Sequence, residues 1–363
     1  MTEPVYERLT DALNARGGAT RGIKCKEFFA LIEELFAPEE AELATHMPLG
    51  PVTAEALAAE MGRDPQEVGE MLEAMANKGV VFSRDRDGQR LYTLMVLVPG
   101  IFEMQFMSGE VSERTKKIAR LFEEYHHAAR RVDVATSAPR VTFPFARVIA
   151  VEQDIPPSLV VHTYDKASDY INNAEHIAVG TCYCRHYGEL VGRPCDRPKE
   201  VCLTFGPHAQ FVVDRGLARM ISKEEAIHIL DISEKAGLVH CSSNTGKYID
   251  FICNCCGCHC GPLRMTIEAP PGAGMLSSFV VTVNEDECMG CGDCLERCWM
   301  TALSLQGDVV TADAARCIGC GLCVSVCPTG ALALESRENA PVPPETFRDL
   351  NVRMAASVKQ PEQ

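Results

Sequence analysis

The chain is 363 residues long, carries a formal net charge of −15 and contains 19 cysteines. Its length predicts about two to four domains, and its negative charge argues against nucleic acid or an anionic membrane and in favour of protein partners with basic docking patches. The opening MTEPVYERLTDALNARGG has no basic n-region and no apolar core, and YTLMVLVPGIF is too short to cross a bilayer, so neither a secretion signal nor a membrane span is expected.

The cysteines are odd in number, clustered and set at ligand spacings, which fits a reducing cytoplasm and metal binding rather than a disulfide scaffold. Residues 1–25 are polar, with Gly17 and Gly18, and predict a flexible start. Cys25 stands alone and reads as a small buried hydrophobe. From 26 to 100 the pattern is helical and ends in a hairpin. KEFFALIEELF has helical apolar spacing, Thr53 starts AEALAAEMG, and Asp64-Pro65-Gln66-Glu67 is a capped start for a helix that stops at Gly79. VVFSRDRDGQRLYTLM then reads as two strands around Asp87-Gly88. This order resembles a winged helix-turn-helix domain. Its would-be reader helix, 64–78, carries Asp64, Glu67, Glu70 and Glu73 against Lys78 alone, and 26–100 holds six Lys/Arg against fourteen Asp/Glu, a balance of −8. Phosphate contact needs the opposite sign, so protein docking or homodimerisation is the better expectation.

Residues 101–170 predict a helical linker. GEVSERTKKIARLFEEYHHAARR reads as an exposed helix of mixed charge that places His126 and His127 on a solvated face, and four prolines between 138 and 157 predict an extended connection.

Residues 171–267 form a cysteine-rich region. GTCYCRHYGELVGRPCDRPKEVC supplies Cys182, Cys184, Cys195 and Cys202, and FICNCCGCHCG supplies Cys253, Cys255, Cys256, Cys258 and Cys260. The second group lies too close in sequence for ordinary disulfides among its members. Each run could complete a site alone, or the two could share. The region is expected to hold one or two further iron–sulfur clusters or a zinc ion, with His186 or His259 as additional zinc ligands, or else a redox-active thiol pair. Arg185, Arg193, Arg197 and Lys199 are read as balancing thiolate charge or forming a solvated face, with an anionic substrate as the alternative. Between the runs, Ser222 and Glu225 cap a helix, a short strand follows, and Cys241 lies just beyond.

EAPPGAGMLSS, 268–278, reads as a hinge. Residues 279–337 follow, then a polar tail, 338–363, with a weak helix to about Ala356. The 279–337 segment contains CMGCGDCLERC, eighteen residues, and CIGCGLCVSVCP, each run C-x₂-C-x₂-C-x₃-C at an offset of 29. Cys₄ zinc usually comes as two C-x₂-C pairs, which this is not. Phe279 to Glu335 strongly resembles the bacterial two-[4Fe–4S] ferredoxins. The resemblance implies that Cys288, Cys291, Cys294 and Cys327 hold one cluster and Cys317, Cys320, Cys323 and Cys298 the other. Gly290, Gly292, Gly319 and Gly321 fit tight turns around them. Pro328 follows Cys327 as the family expects, whereas Trp299 stands after Cys298, where core packing and shielding of a cluster are both compatible. Ala302-Leu303 and Ala331-Leu332 are expected on short helices covering the clusters.

The whole is read as an α+β chain: a winged-helix-like module, a central cysteine-rich metal-binding domain and a ferredoxin-like two-cluster domain. It resembles multidomain 4Fe-4S ferredoxin-type proteins of anaerobic metabolism. The leading expectation is low-potential electron relay between a redox partner and an oxidoreductase. The alternatives are a metal-dependent reductase acting at the middle centre, which would make the chain an iron–sulfur oxidoreductase or a subunit of one, and a redox-sensing regulator. No G-x-G-x-x-G or P-loop is present.

Overall fold

The computed structural model describes residues 4–136, 140–141 and 143–359, and combines helices with small antiparallel sheets. Helices α1 (Pro4–Ala15), α2 (Lys26–Leu35), α3 (Pro38–His46), α4 (Ala54–Met61) and α5 (Pro65–Asn77) lead into the hairpin β1 (Val81–Arg86) and β2 (Gln89–Leu94). The expected caps are in place. Thr53 Oγ1 accepts from Ala56 N at 3.2 Å, and Asp64 Oδ1 accepts from Gln66 N and Glu67 N at 2.9 and 3.1 Å. Asp87 and Gly88 both take positive φ, 52° and 76°, which fits the primed turn expected for this hairpin.

The start of the chain departs from expectation. Val5, Tyr6, Leu9 and Leu13 share one face of α1 and are buried, and the Tyr6 hydroxyl donates to Phe36 O at 2.9 Å. The polar average of residues 1–25 hid this amphipathic stripe, so the described part of the start is a core helix and not a loose segment.

Next come α6 (Phe102–Phe106) and α7 (Glu113–Thr136). α7 is one-sided rather than solvated all round, since Ile118, Ala119, Phe122 and Tyr125 are fully buried. His127 faces solvent beside Glu123. His126 does not: its ring lies against Phe102, Phe122, Tyr125 and Tyr187, and burial lowers its pKa from 6.5 to about 4. The expectation of a solvated face holds for His127 alone. Of the proline-rich connection, 137–139 and 142 lie outside the described residues. β3 (Arg140–Val141) pairs with β14 (Val358–Lys359), next to α14 (Phe347–Ala356).

The centre of the molecule is a six-stranded antiparallel sheet. Its strands, in spatial order, are β4 (Ala146–Val148), β8 (Val239–Ser243), β9 (Phe251–Cys255), β6 (Glu200–Phe205), β5 (Ile177–Thr181) and β7 (Arg219–Met220). Helices α8 (Ala167–Asn173) and α11 (Lys223–Lys235) pack together, with α11 against β6 and β8; α10 (Gly206–Asp214) lies on β5 and β6. α9 (Tyr183–Leu190) packs on α6 and α7, and α12 (Gly261–Glu268) follows the second cysteine run. Helix α10 also meets the front hairpin: Phe82 stacks on His208 at 4.6 Å, and Arg215 reaches Glu73 of α5 at 2.7 Å.

The 268–278 stretch is strapped down rather than free. Gly272 N donates to Ala315 O at 2.6 Å, Ser277 Oγ to Gly319 O at 2.7 Å and Ser278 Oγ to Asp165 Oδ1 at 2.6 Å. Proline and glycine there shape a pinned crossing and not a hinge. The last region holds β10 (Phe279–Val283) paired with β13 (Leu332–Ser336), α13 (Asp293–Arg297), and the hairpin of β11 (Leu303–Gln306) and β12 (Val309–Ala312). Ala302-Leu303 and Ala331-Leu332 lead into β11 and β13, so the short helices expected there are strands; leucine in a half-buried alternating run serves a strand equally well.

Two outcomes follow. Leu9→Ala removes a fully buried side chain and is expected to cost about 2–5 kcal/mol, read as a lowered denaturation midpoint of the front module; wild-type stability would return residues 4–15 to a loose start. His126 is neutral when folded and can protonate when unfolded, so its contribution is complete above pH 6.5 and is lost as pH falls towards about 4. His126→Phe should flatten acid destabilisation across that window, and an unchanged pH profile would remove the histidine as its cause.

Candidate metal centres

The C-terminal cysteines form two quartets, each around its own cavity. Cys288, Cys291, Cys294 and Cys327 line one, and Cys298, Cys317, Cys320 and Cys323 line another. The fourth cysteine of each run therefore stands with the first three of the other. Backbone amides point at the sulfurs: Ala302 N lies 3.2 Å from Cys298 Sγ, Val310 N 3.4 Å from Cys288 Sγ and Gly319 N 3.3 Å from Cys317 Sγ. Two glycines permit the close wrapping. A Cβ on Gly290 would fall 2.5 Å from Asp308 O, and one on Gly319 would fall 2.1 Å from Phe279 O. Four thiols, inward amides and an apolar cavity suit a thiolate-ligated iron–sulfur cubane. Burial pushes the Cys320 thiol up to about 12, with the charges of Cys317, Cys298 and Cys241 adding to it. Without a bound cation the Cys320 sulfur would be a neutral thiol.

In the middle region, sheet register does what sequence spacing could not. Cys241 of β8 stands opposite Cys253 of β9, and Leu203↔Ile252 carried one step further sets Cys202 of β6 opposite Cys253 on its other side. Cys255, two residues on, shares the face. Cys182 follows the end of β5, where its N–H donates to Lys199 O at 2.6 Å. A continuous buried set results. Cys202 lies beside both Cys182 and Cys253, Cys255 beside Cys241, Cys253 and Cys260, and Cys260 beside Cys184. The Tyr183 hydroxyl is 3.3 Å from Cys253 Sγ. Cys241, set apart in sequence as merely lying beyond a strand, belongs to this row; an isolated cysteine carries no signal until register is known.

The remaining thiols form a second group. Cys195, Cys256, Cys258 and His259 have their ligand atoms all within 4.8 Å of one another. The two sequence runs thus interleave in space. Cys195 leaves Cys182, Cys184 and Cys202 to join Cys256 and Cys258, while Cys253, Cys255 and Cys260 go with the deep row. His186 is elsewhere, with Nε2 3.0 Å from Glu110 O.

The four basic residues also separate. Arg185 is fully buried, donates to Asn254 O at 3.0 Å and Pro198 O at 2.6 Å, and faces the thiols of Cys182, Cys202 and Cys256, whose charges hold its own pKa up against burial. It is the charge-balancing residue. Arg193 pairs with both carboxylate oxygens of Glu123 at 2.7 and 2.9 Å, and Lys199 pairs with Glu189. Arg197 lies over the Trp299 ring, 4.7 Å from its centroid.

Trp299 joins the two cysteine regions. It lines the cavity of the Cys298 quartet, its Nε1–H donates to Gly237 O at 2.8 Å, and a Cβ on Gly257 would fall 2.4 Å from its Cε3. It is the only tryptophan, so its fluorescence reports on this junction. Gly257→Val is expected to shift the emission to longer wavelength as the ring is displaced into water; unchanged emission would show that the contact is slack.

Among the described residues no helix is long and apolar enough to cross a membrane. A comparison with curated proteins gave no match. Residues 281–334, which contain all eight C-terminal cysteines, match the family model of a 4Fe-4S dicluster domain.

Proposed function

We propose that the chain relays single, low-potential electrons between a redox partner and an oxidoreductase. The route uses the two C-terminal clusters and a further iron–sulfur centre held by ligands drawn from Cys182, Cys184, Cys202, Cys241, Cys253, Cys255 and Cys260. The observation that carries this reading is adjacency: Val239 of β8 lines the cavity of the Cys298 quartet, and two residues along the same strand Cys241 stands opposite Cys253 in the buried row. A wire needs centres separated by protein alone, and this junction supplies that.

Bound clusters would supply one-electron exchange with little rearrangement of their ligands. The chain's own residues hold the irons and keep out water. Complete thiolate ligation of the C-terminal clusters leaves no open coordination position there, which suits relay rather than substrate binding. Trp299 and Met300 seal one cavity wall, and amides of Ala302, Val310 and Gly319 stabilise charge on sulfur without a mobile proton. Arg185 offsets thiolate charge at the middle centre and need not move when an electron arrives.

The front module is read as winged-helix-like and as a protein-docking or dimerisation element. Its acidic α5 is already engaged, with Glu73 bound by Arg90 at 3.0 Å, Tyr92 at 2.8 Å and Arg215 at 2.7 Å, which speaks against a reader helix for DNA. Partners with basic patches and a cytoplasmic setting complete the proposal.

Iron and sulfide analysis of oxygen-protected protein is the test. About twelve irons per chain are expected, against about eight if only the C-terminal pair exists. Cys253→Ser should bring the count down to about eight while sparing the C-terminal clusters; no loss of iron would remove the middle centre from the route.

A further inference from the structure

The Cys195, Cys256, Cys258 and His259 group differs in kind from every other thiol cluster in the chain. Cys195 Sγ lies 3.8 Å from Cys258 Sγ, and Cys256 Sγ lies 3.9 Å from His259 Nδ1. Sulfurs sharing one tetrahedral zinc at about 2.3 Å stand about 3.8 Å apart. Ligands of a cubane bind separate irons at separate corners and must stand wider. Among the described residues this is the one group of three or more such side chains whose ligand atoms all fall within 4.8 Å of one another; the C-terminal quartets do not contract to that degree.

The histidine is also set up as a ligand. His259 Nε2 is 2.7 Å from Arg193 O, a carbonyl that can only accept. The ring proton therefore sits on Nε2, and the Nδ1 lone pair turns towards sulfur. A backbone carbonyl holding the far nitrogen is the usual support for a metal-bound imidazole. The space for the ring is built: a Cβ on Gly188 of α9 would fall 2.2 Å from His259 Cδ2. Three thiolates on a dication leave one net negative charge, and Arg185 stands beside Cys256 to offset it.

We propose that Cys195, Cys256, Cys258 and His259 bind one zinc ion in a closed S₃N site, apart from the iron centres. Four protein ligands leave no open position, so the ion is structural and redox-silent. Its task is mechanical. It ties the loop carrying Cys195 to the 256–259 loop, whose Gly257 backs the Trp299 ring. The clamp thereby fixes the junction between the middle region and the dicluster domain. The assignment concerns the middle region named above but does not rest on electron relay.

The test is a paired zinc and iron determination on the full chain purified without oxygen, with X-ray absorption at the zinc edge. One zinc per chain is expected, with three sulfurs at about 2.3 Å and one nitrogen at about 2.0 Å. Cys258→Ser and His259→Ala should each weaken zinc retention against a chelator at least ten-fold while iron stays at the wild-type count and the Trp299 emission shifts. The edge spectrum is taken on the wild-type chain, so it decides the matter even if a variant fails to fold. Protein without zinc, a shell dominated by oxygen, or iron lost together with zinc in Cys258→Ser would overturn the proposal. Zinc retained in a chain without iron would sink the electron relay and leave this site standing.

Discussion

The molecule is organised by the cost of keeping sulfur charge away from water. Cys182, Cys202, Cys241, Cys253, Cys255 and Cys260 are all at most 8% exposed and lie in mutual contact. Several thiolates cannot share so small and dry a volume without positive charge, since each is costly to desolvate and repels the others. Arg185 supplies one cation within the middle region. Either the thiols stay protonated or bound metal supplies the remaining charge, as proposed above, and the same reasoning applies to the C-terminal quartets, where burial and neighbouring thiols raise Cys320 and Cys323. Much of the central and C-terminal core is therefore made of cysteines, and metal bound there as proposed would complete its packing.

This explains why the regions interlock. The sheet of the middle region and the C-terminal unit share one continuous buried core that runs through Cys241, Cys256, Ile318, Leu322 and Cys323. Val151 N, just after β4, donates to Cys320 O at 3.0 Å, so a backbone bond as well as side-chain packing joins the two regions. On the other flank, Phe102 and Phe106, which both pack on Phe122, meet Tyr187 of α9, and the Tyr187 hydroxyl bonds Glu123, which also holds Arg193. Arg193 in turn presents its carbonyl to His259. The front helices thus brace the outer group of ligands through a chain of ordinary packing and hydrogen bonds.

Much of this was legible in the sequence where the signal is local. Caps at Thr53, Asp64 and Ser222, the Asp87-Gly88 turn and the eight ligands at fixed spacing are readable because chemistry and geometry lie within a few residues of one another. The misses share a physical cause. Helix α1 was diluted by its charged face, and the 268–278 strap was read as a hinge because proline and glycine report local backbone but not what the backbone is tied to. The sorting of the middle cysteines depends on register between strands far apart in sequence, so spacing alone leaves Cys241 unassigned and leaves open whether the two runs act separately or share. His259 stood out only as an option, since the carbonyl that orients it comes from Arg193, sixty-six residues away.

The central claim is that the dicluster domain and the buried middle thiols hold iron centres close enough to exchange electrons. Electron paramagnetic resonance of the fully reduced, oxygen-protected chain tests it most directly. The account predicts spin–spin splitting between the cluster of the Cys298 quartet and a further centre, lost in Cys253→Ser while coupling within the C-terminal pair persists. Signals from the C-terminal pair alone, unchanged by that substitution, would contradict it.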